Sequence, residues 1–167
     1  MTIPTSVDRA AADRSVPPRG IRNFNPGNID RKPGVKWLGM MEDQSGDPRF
    51  VVFQNASWGI RAIARVLITY QTARMARDGT PIDTIREIIE RWAPPVENKT
   101  SAYVTHVSKL TGIALDARID VSDYDTMRAL VIAIITHENG CQPYSDAEIE
   151  SGLSLANVVP GSKRGPL

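Results

Sequence analysis

Apolar residues recur at helical spacing along most of the chain. Ile60, Ile63, Ala64, Leu67 and Ile68 predict an amphipathic helix over about 57–77, stopping before Asp78-Gly79. Ile82, Ile85, Ile88 and Ile89 predict a second, with Thr80 as N-cap, Pro81 at the first helical position, and an end before Pro94-Pro95. A third is predicted from Thr100 to Leu110, closed by Gly112. The fourth runs from an N-cap at Ser122, with Asp125 three positions on, to Gly140. The fifth opens on the capping box Ser145-Asp146-Ala147-Glu148 and reaches about Ala156.

The 22–34 stretch is rich in Asn, Pro and Gly and predicts an ordered loop. Beyond it, Val35-Lys36-Trp37-Leu38 and Arg49-Phe50-Val51-Val52-Phe53 flank a polar turn, the pattern of a small β-hairpin. The fold class expected is therefore mainly α (α+β), a helical domain over 20–157 with a small β-element. Polar residues 1–19 are expected to be a flexible arm, and 158–167 a flexible tail.

The fourth helix carries a residue out of keeping with its stripe. Met127, Leu130, Val131, Ile134 and Ile135 fall on one face, and Glu138, three turns from Met127, continues it. The segment from Ala129 to Ile135 is apolar all round, so the helix is expected to be enclosed. A glutamate ending such a stripe is costly unless it is paired or functional. Partial burial and the negative pole of the helix both favour its protonated form there, as a general acid requires.

Composition narrows the classes. At 41% hydrophobic and 23% charged, the 167 residues are of globular type. Twenty basic against nineteen acidic side chains leave +1, which argues against a nucleic-acid partner. No apolar run approaches the roughly 20 residues of a membrane span. One cysteine and two histidines give no zinc spacing, and neither a metal nor another cofactor is expected. The N-terminus, with Asp8 and Asp13, lacks the apolar core of a signal peptide.

Ala133-Ile134-Ile135-Thr136-His137-Glu138-Asn139-Gly140 resembles the catalytic helix end of lysozyme-superfamily peptidoglycan hydrolases, the lytic transglycosylases and bacterial glucosaminidases among them. Asn25-Pro26-Gly27-Asn28-Ile29 with Trp37-Leu38-Gly39 is similar to the glucosaminidases' asparagine-rich loop and the tryptophan-glycine after it. Phe50 to Ile60 is similar to their aromatic strand and its entry into a helix, and Trp92-Ala93-Pro94-Pro95 through Tyr103 to their late aromatic-proline-tyrosine segment. In that family the glutamate helix comes first; here it comes last, as in a circular permutation, which is geometrically allowed where termini lie close together. The span 19–156 also resembles phage virion proteins described as structural or lytic-transglycosylase-like.

The resemblance implies a lysozyme-like fold and a glycosidase of phage or prophage. It would cleave the β-1,4 bond between N-acetylmuramic acid and N-acetylglucosamine, as a lytic transglycosylase or muramidase. Glu138 would be the general acid and base, and Tyr103 would orient the substrate's N-acetyl group. Asn25, Asn28, Trp37, Phe53, Gln142 and Tyr144 would bind the sugar. Glu42, Asp43 and Asp47 lie where some lysozymes place a second carboxylate, although turns favour such residues anyway. Trp58 and Trp92 read as core, and His137 as a capping or packing imidazole. The partners implied are peptidoglycan glycan strands and phage tail or virion proteins. The protein would be made in the host cytoplasm and delivered to periplasmic murein by a virion, an injection apparatus or a holin. Two other readings stand beside it: a non-enzymatic virion component that keeps the fold, and an amidase using Cys141 with His106 or His137.

Overall fold

The computed structural model describes residues 16–95 and 99–161; the expected arm up to residue 15 and the tail from residue 162 lie outside them. The protein is mainly helical. Among the described residues six helices follow one another: α1 (Arg19–Arg22), α2 (Ala56–Ala73), α3 (Ile85–Trp92), α4 (Thr100–Thr111), α5 (Tyr124–Asn139) and α6 (Asp146–Leu155).

Local chemistry sets most of their ends. Gly112 and Gly140 close α4 and α5 in the left-handed conformation, at φ 72° and 70°. Ser145 and Glu148 form a full capping box on α6. Three ends differ from expectation. The cap of α5 is Asp123, whose carboxylate accepts from the Thr126 amide, and Ser122 closes its own turn on Asp120. Helix α3 starts four residues later than Thr80 would have it. Thr84 caps it, with a reciprocal bond from Glu87, whereas Thr80 binds the Asp78 carboxylate and Pro81 bridges to Met75. Helix α2 ends at Ala73, because Met75 has joined that bridge.

The hairpin is not formed. Val35, Lys36 and Leu38 are exposed and only Trp37 packs inward, so an alternating strand there would bury a single side chain. Arg49–Phe53 makes isolated antiparallel bridges instead, Asp30 to Phe50 and Met40 to Phe53. Arg31 stitches the intervening turn by donating to the carbonyls of Gln44 and Asp47. Its anchor is Asp47, a buried carboxylate that accepts from Arg19 (2.5 and 2.6 Å), from Asn23 (2.8 Å) and from the amides of Arg49 and Phe50. Arg19 thus belongs to the folded unit, and so does Val158, which is buried.

The main core lies between α2, α3, α4, α5 and α6, with α5 through its middle. Met127, Leu130, Val131, Ile134 and Ile135 are all fully buried, as the stripe requires. Each such side chain contributes roughly 1.5–3 kcal/mol of burial. A smaller cluster of Val51, Phe53 and Ala62, flanked by Trp37 and Trp58, fixes the bridged loop onto α2. Gly59 permits this contact, since any Cβ there would strike the carbonyl of Phe24. Among the described residues, no helix is long and apolar enough to cross a membrane.

Candidate active site

The α5 stripe delivers Glu138 to the point where α5, α3, α4 and the asparagine-rich loop meet. The side chain is half-buried. Its Oε1 accepts from Tyr103 Oη at 3.0 Å and from Trp92 Nε1 at 3.2 Å, and its Oε2 from Asn28 Nδ2 at 3.1 Å. Three neutral donors surround one carboxyl group. With Oε1 taken twice, Oε2 keeps the spare lone pair on which a transferable proton would sit.

Each donor is fixed by its own surroundings. Asn28 has φ 48°, a left-handed conformation that asparagine tolerates, and this turns its amide toward α5. Gly20 lies beneath it. A Cβ at that position would lie 2.9 Å from Asn28 Oδ1 and 2.5 Å from Asn139 Oδ1. Asn139 in turn donates to the carbonyls of Pro26 and Ile135, tying the end of α5 to the loop. Trp92 lies against Gly27, whose missing side chain gives the indole its room. Tyr103 is buried, and burial first, then the charge of Glu138, pushes its phenol well above the ordinary range. It therefore stays a neutral donor.

His137 stacks on Tyr103 with ring centroids 3.6 Å apart. Its Nδ1 is 2.8 Å from Nδ1 of His106, a distance that demands a donor on one ring and an acceptor on the other. Burial, followed by the nearby His106, lowers the His137 pKa. This imidazole packs, one of the two roles expected of it, and backs the phenol that holds the carboxyl group. The described residues contain no group of three or more His, Cys, Asp or Glu able to hold a metal ion.

A cleft of about 1130 Å³ adjoins the site. Its lining includes Asn28, Trp92 and Trp37, though not Glu138 itself, which stands behind the first two. The remaining expected sugar contacts lie elsewhere. Asn25 is fully buried and spends its amide on Ile29 and Val51, and Phe53 is enclosed in the small core, so both are framework. Gln142 closes a local turn onto Tyr144. Tyr144 packs against the main core, and its phenol is raised to about 12 by burial and then by Glu148. Neither bonds Glu138 or lines the cleft.

The turn carboxylates do not reach Glu138 either. Asp47 is consumed by Arg19, Asn23 and the backbone, Asp43 caps Ser45, and Glu42 is exposed. Cys141 is exposed one residue beyond the α5 cap, at the negative pole of the helix, while the two imidazoles are engaged with each other. Sequence reasoning missed Trp92 as a site residue. It continues the stripe Ile85, Ile88, Ile89 and reads as core, and its indole N–H, which needs a partner once half-buried, was the available signal.

Fold and site together define a mainly helical protein with one carboxyl group clamped at a helix end beside a cleft. No protein-family model matches the chain. Over 152 residues it is 37% identical to Protein P5 of Pseudoalteromonas phage PM2, covering 90% of this chain and 84% of that protein. The chain belongs to the family of that phage protein.

Proposed function

We propose that this protein is a peptidoglycan glycosidase of lysozyme-like type, a lytic transglycosylase in which Glu138 is both acid and base. The observation that carries the reading is the triple clamp of Asn28, Trp92 and Tyr103 on Glu138, two members of which, Asn28 and Trp92, line a cleft large enough for several sugars. Glu138 Oε2 would protonate the oxygen of the β-1,4 bond as that bond breaks and the sugar gains oxocarbenium character. The carboxylate left behind would be stabilised by three donors already in place. It would then accept the proton of the muramoyl C6 hydroxyl while that oxygen attacks C1, giving a 1,6-anhydro end.

A single carboxyl group suffices for this sequence. A water-activating partner would be needed for inverting hydrolysis, and the groups bonded to Glu138 are an amide, an indole and a phenol. Descent with a phage protein fits a role in opening murein during genome delivery or host lysis, with virion proteins as partners.

Clearing of purified murein by wild type and Glu138→Gln tests the reading. Wild type is expected to clear, and the variant to lose at least about 100-fold in rate, the usual worth of a general acid. Equal clearing by both overturns the assignment of Glu138. No clearing by a folded wild type makes the protein a virion component without this activity. Clearing abolished by a thiol alkylator, with release of free peptides, assigns the reaction to Cys141 instead.

A further inference from the structure

The cleft beside Glu138 is far more basic than the chain that forms it. Arg61 and Arg65 lie one turn apart on α2, Arg74 and Arg77 follow its end, and Arg91 comes from α3. Lys32 and Lys36 face into the same cleft from the bridged loop. The ion pairs of the described residues use Arg19, Arg49, Arg86, Arg118 and Arg128, and none uses a cleft arginine.

Of the three acids in the lining, Asp30 is paired with Arg49 and Glu87 is spent on the cap of α3, which leaves Glu90. Arg61 is partly buried and lies close enough to Arg65 to feel its like charge. Seven cations gathered in a concave wall against the one remaining acid, Glu90, mark a place for an anionic ligand.

Accepting the glycosidase reading above, on which this step rests, we propose that the arginine wall binds the free carboxylates of the stem peptides on the glycan strand. The enzyme would then select peptide-bearing murein over bare amino-sugar polymer. In intact murein the lactyl carboxyl of each muramic acid is tied up as the amide of its stem peptide, so the sugar backbone is neutral and cations would add nothing to its recognition, and Trp37 and Trp92 already offer it flat apolar surfaces. Guanidinium groups match carboxylates in a planar, two-pronged geometry. A nucleic acid is the less favoured occupant: a continuous phosphate chain would run against Glu90 in the lining, and the chain as a whole carries only +1.

The test is binding of Glu138→Gln, which cannot consume its ligand, to intact sacculi and to chitin oligosaccharides, a neutral β-1,4 amino-sugar polymer without carboxylates. Arg65→Glu with Arg77→Glu, added to that background and checked for an unchanged thermal midpoint, removes part of the wall. Binding to sacculi is expected to fall at least about tenfold in this variant, and likewise when salt is raised from about 50 to about 300 mM. The chitin oligosaccharides should bind weakly and equally to both proteins. Equal affinity for sacculi and chitin oligosaccharides, unmoved by charge reversal or salt, would overturn the proposal. So would tighter binding of a single-stranded oligonucleotide than of sacculi. Peptide-dependent binding by a wild type that clears no murein would sink the glycosidase reading and leave the ligand assignment standing; clearing with peptide-blind binding would do the reverse.

Discussion

Asn28 and Glu138 stand 110 positions apart in the chain, and the amide of one donates to the carboxyl group of the other at 3.1 Å. One comes from a loop in a strained left-handed conformation, the other from the last turn of the central helix. Their meeting turns a stripe-ending glutamate into a clamped functional group.

The clamp predicts graded effects. Tyr103→Phe removes one donor to Oε1 with little change in shape, Trp92→Phe removes the other and also shortens the ring packed on Gly27, and each should lower the clearing rate about 10- to 100-fold, the worth of one charge-assisted hydrogen bond. Asn28→Ala should cost more, because Asn28 is the donor on the oxygen that would transfer the proton. Initial rates on murein, with thermal midpoints as the control for folding, check the order.

Gly20→Ala should act on the site from beneath it. The new Cβ would press on the amide oxygens of Asn28 and Asn139, at 2.9 and 2.5 Å, and push Asn28 off Glu138. Loss of clearing beyond about tenfold, in a protein that still melts cooperatively, is the expected result.

His137 gives a pH dependence of stability. Its folded-state pKa lies below the ordinary 6.5, so in the interval between them the unfolded chain binds more protons. Stability from this residue is complete above 6.5, declines as pH falls below it, and levels off beneath the folded value. His137→Gln should flatten that part of a melting-temperature profile.

Asp47 acts in a lower window. Arg19 first, with help from backbone amides and Asn23, holds its carboxyl group far below the usual range, so its stabilisation is full above about pH 4 and fades on acidification. Asp47→Asn should lower stability by about 2 kcal/mol at neutral pH, moderated by the wetted Arg19 side chain, and soften the acid limb. Urea titrations at several pH values measure both.

Local signals were legible in the sequence. The glycine ends of α4 and α5, the Ser145 capping box and the α5 stripe each rest on residues a few positions apart, and the structure reproduces them. What failed depended on competition or on distance. Thr80-Pro81 and Thr84-Glu87 both suit a helix start, and the second prevailed because Asp78 claims Thr80. The hairpin failed because Phe50 and Phe53 find partners at Asp30 and Met40, a pairing that no turn signal specifies. Glu138 stood out by periodicity, but its indole donor did not, since Trp92 looks the same whether it fills a core or clamps an acid.

The products released from purified murein test the central claim most directly. Mass spectrometry of a digest by wild type should find disaccharide-peptides ending in 1,6-anhydro-muramic acid, and Glu138→Gln should release none. Reducing ends alone, or the same anhydro products from the variant, would contradict a single-glutamate transglycosylase.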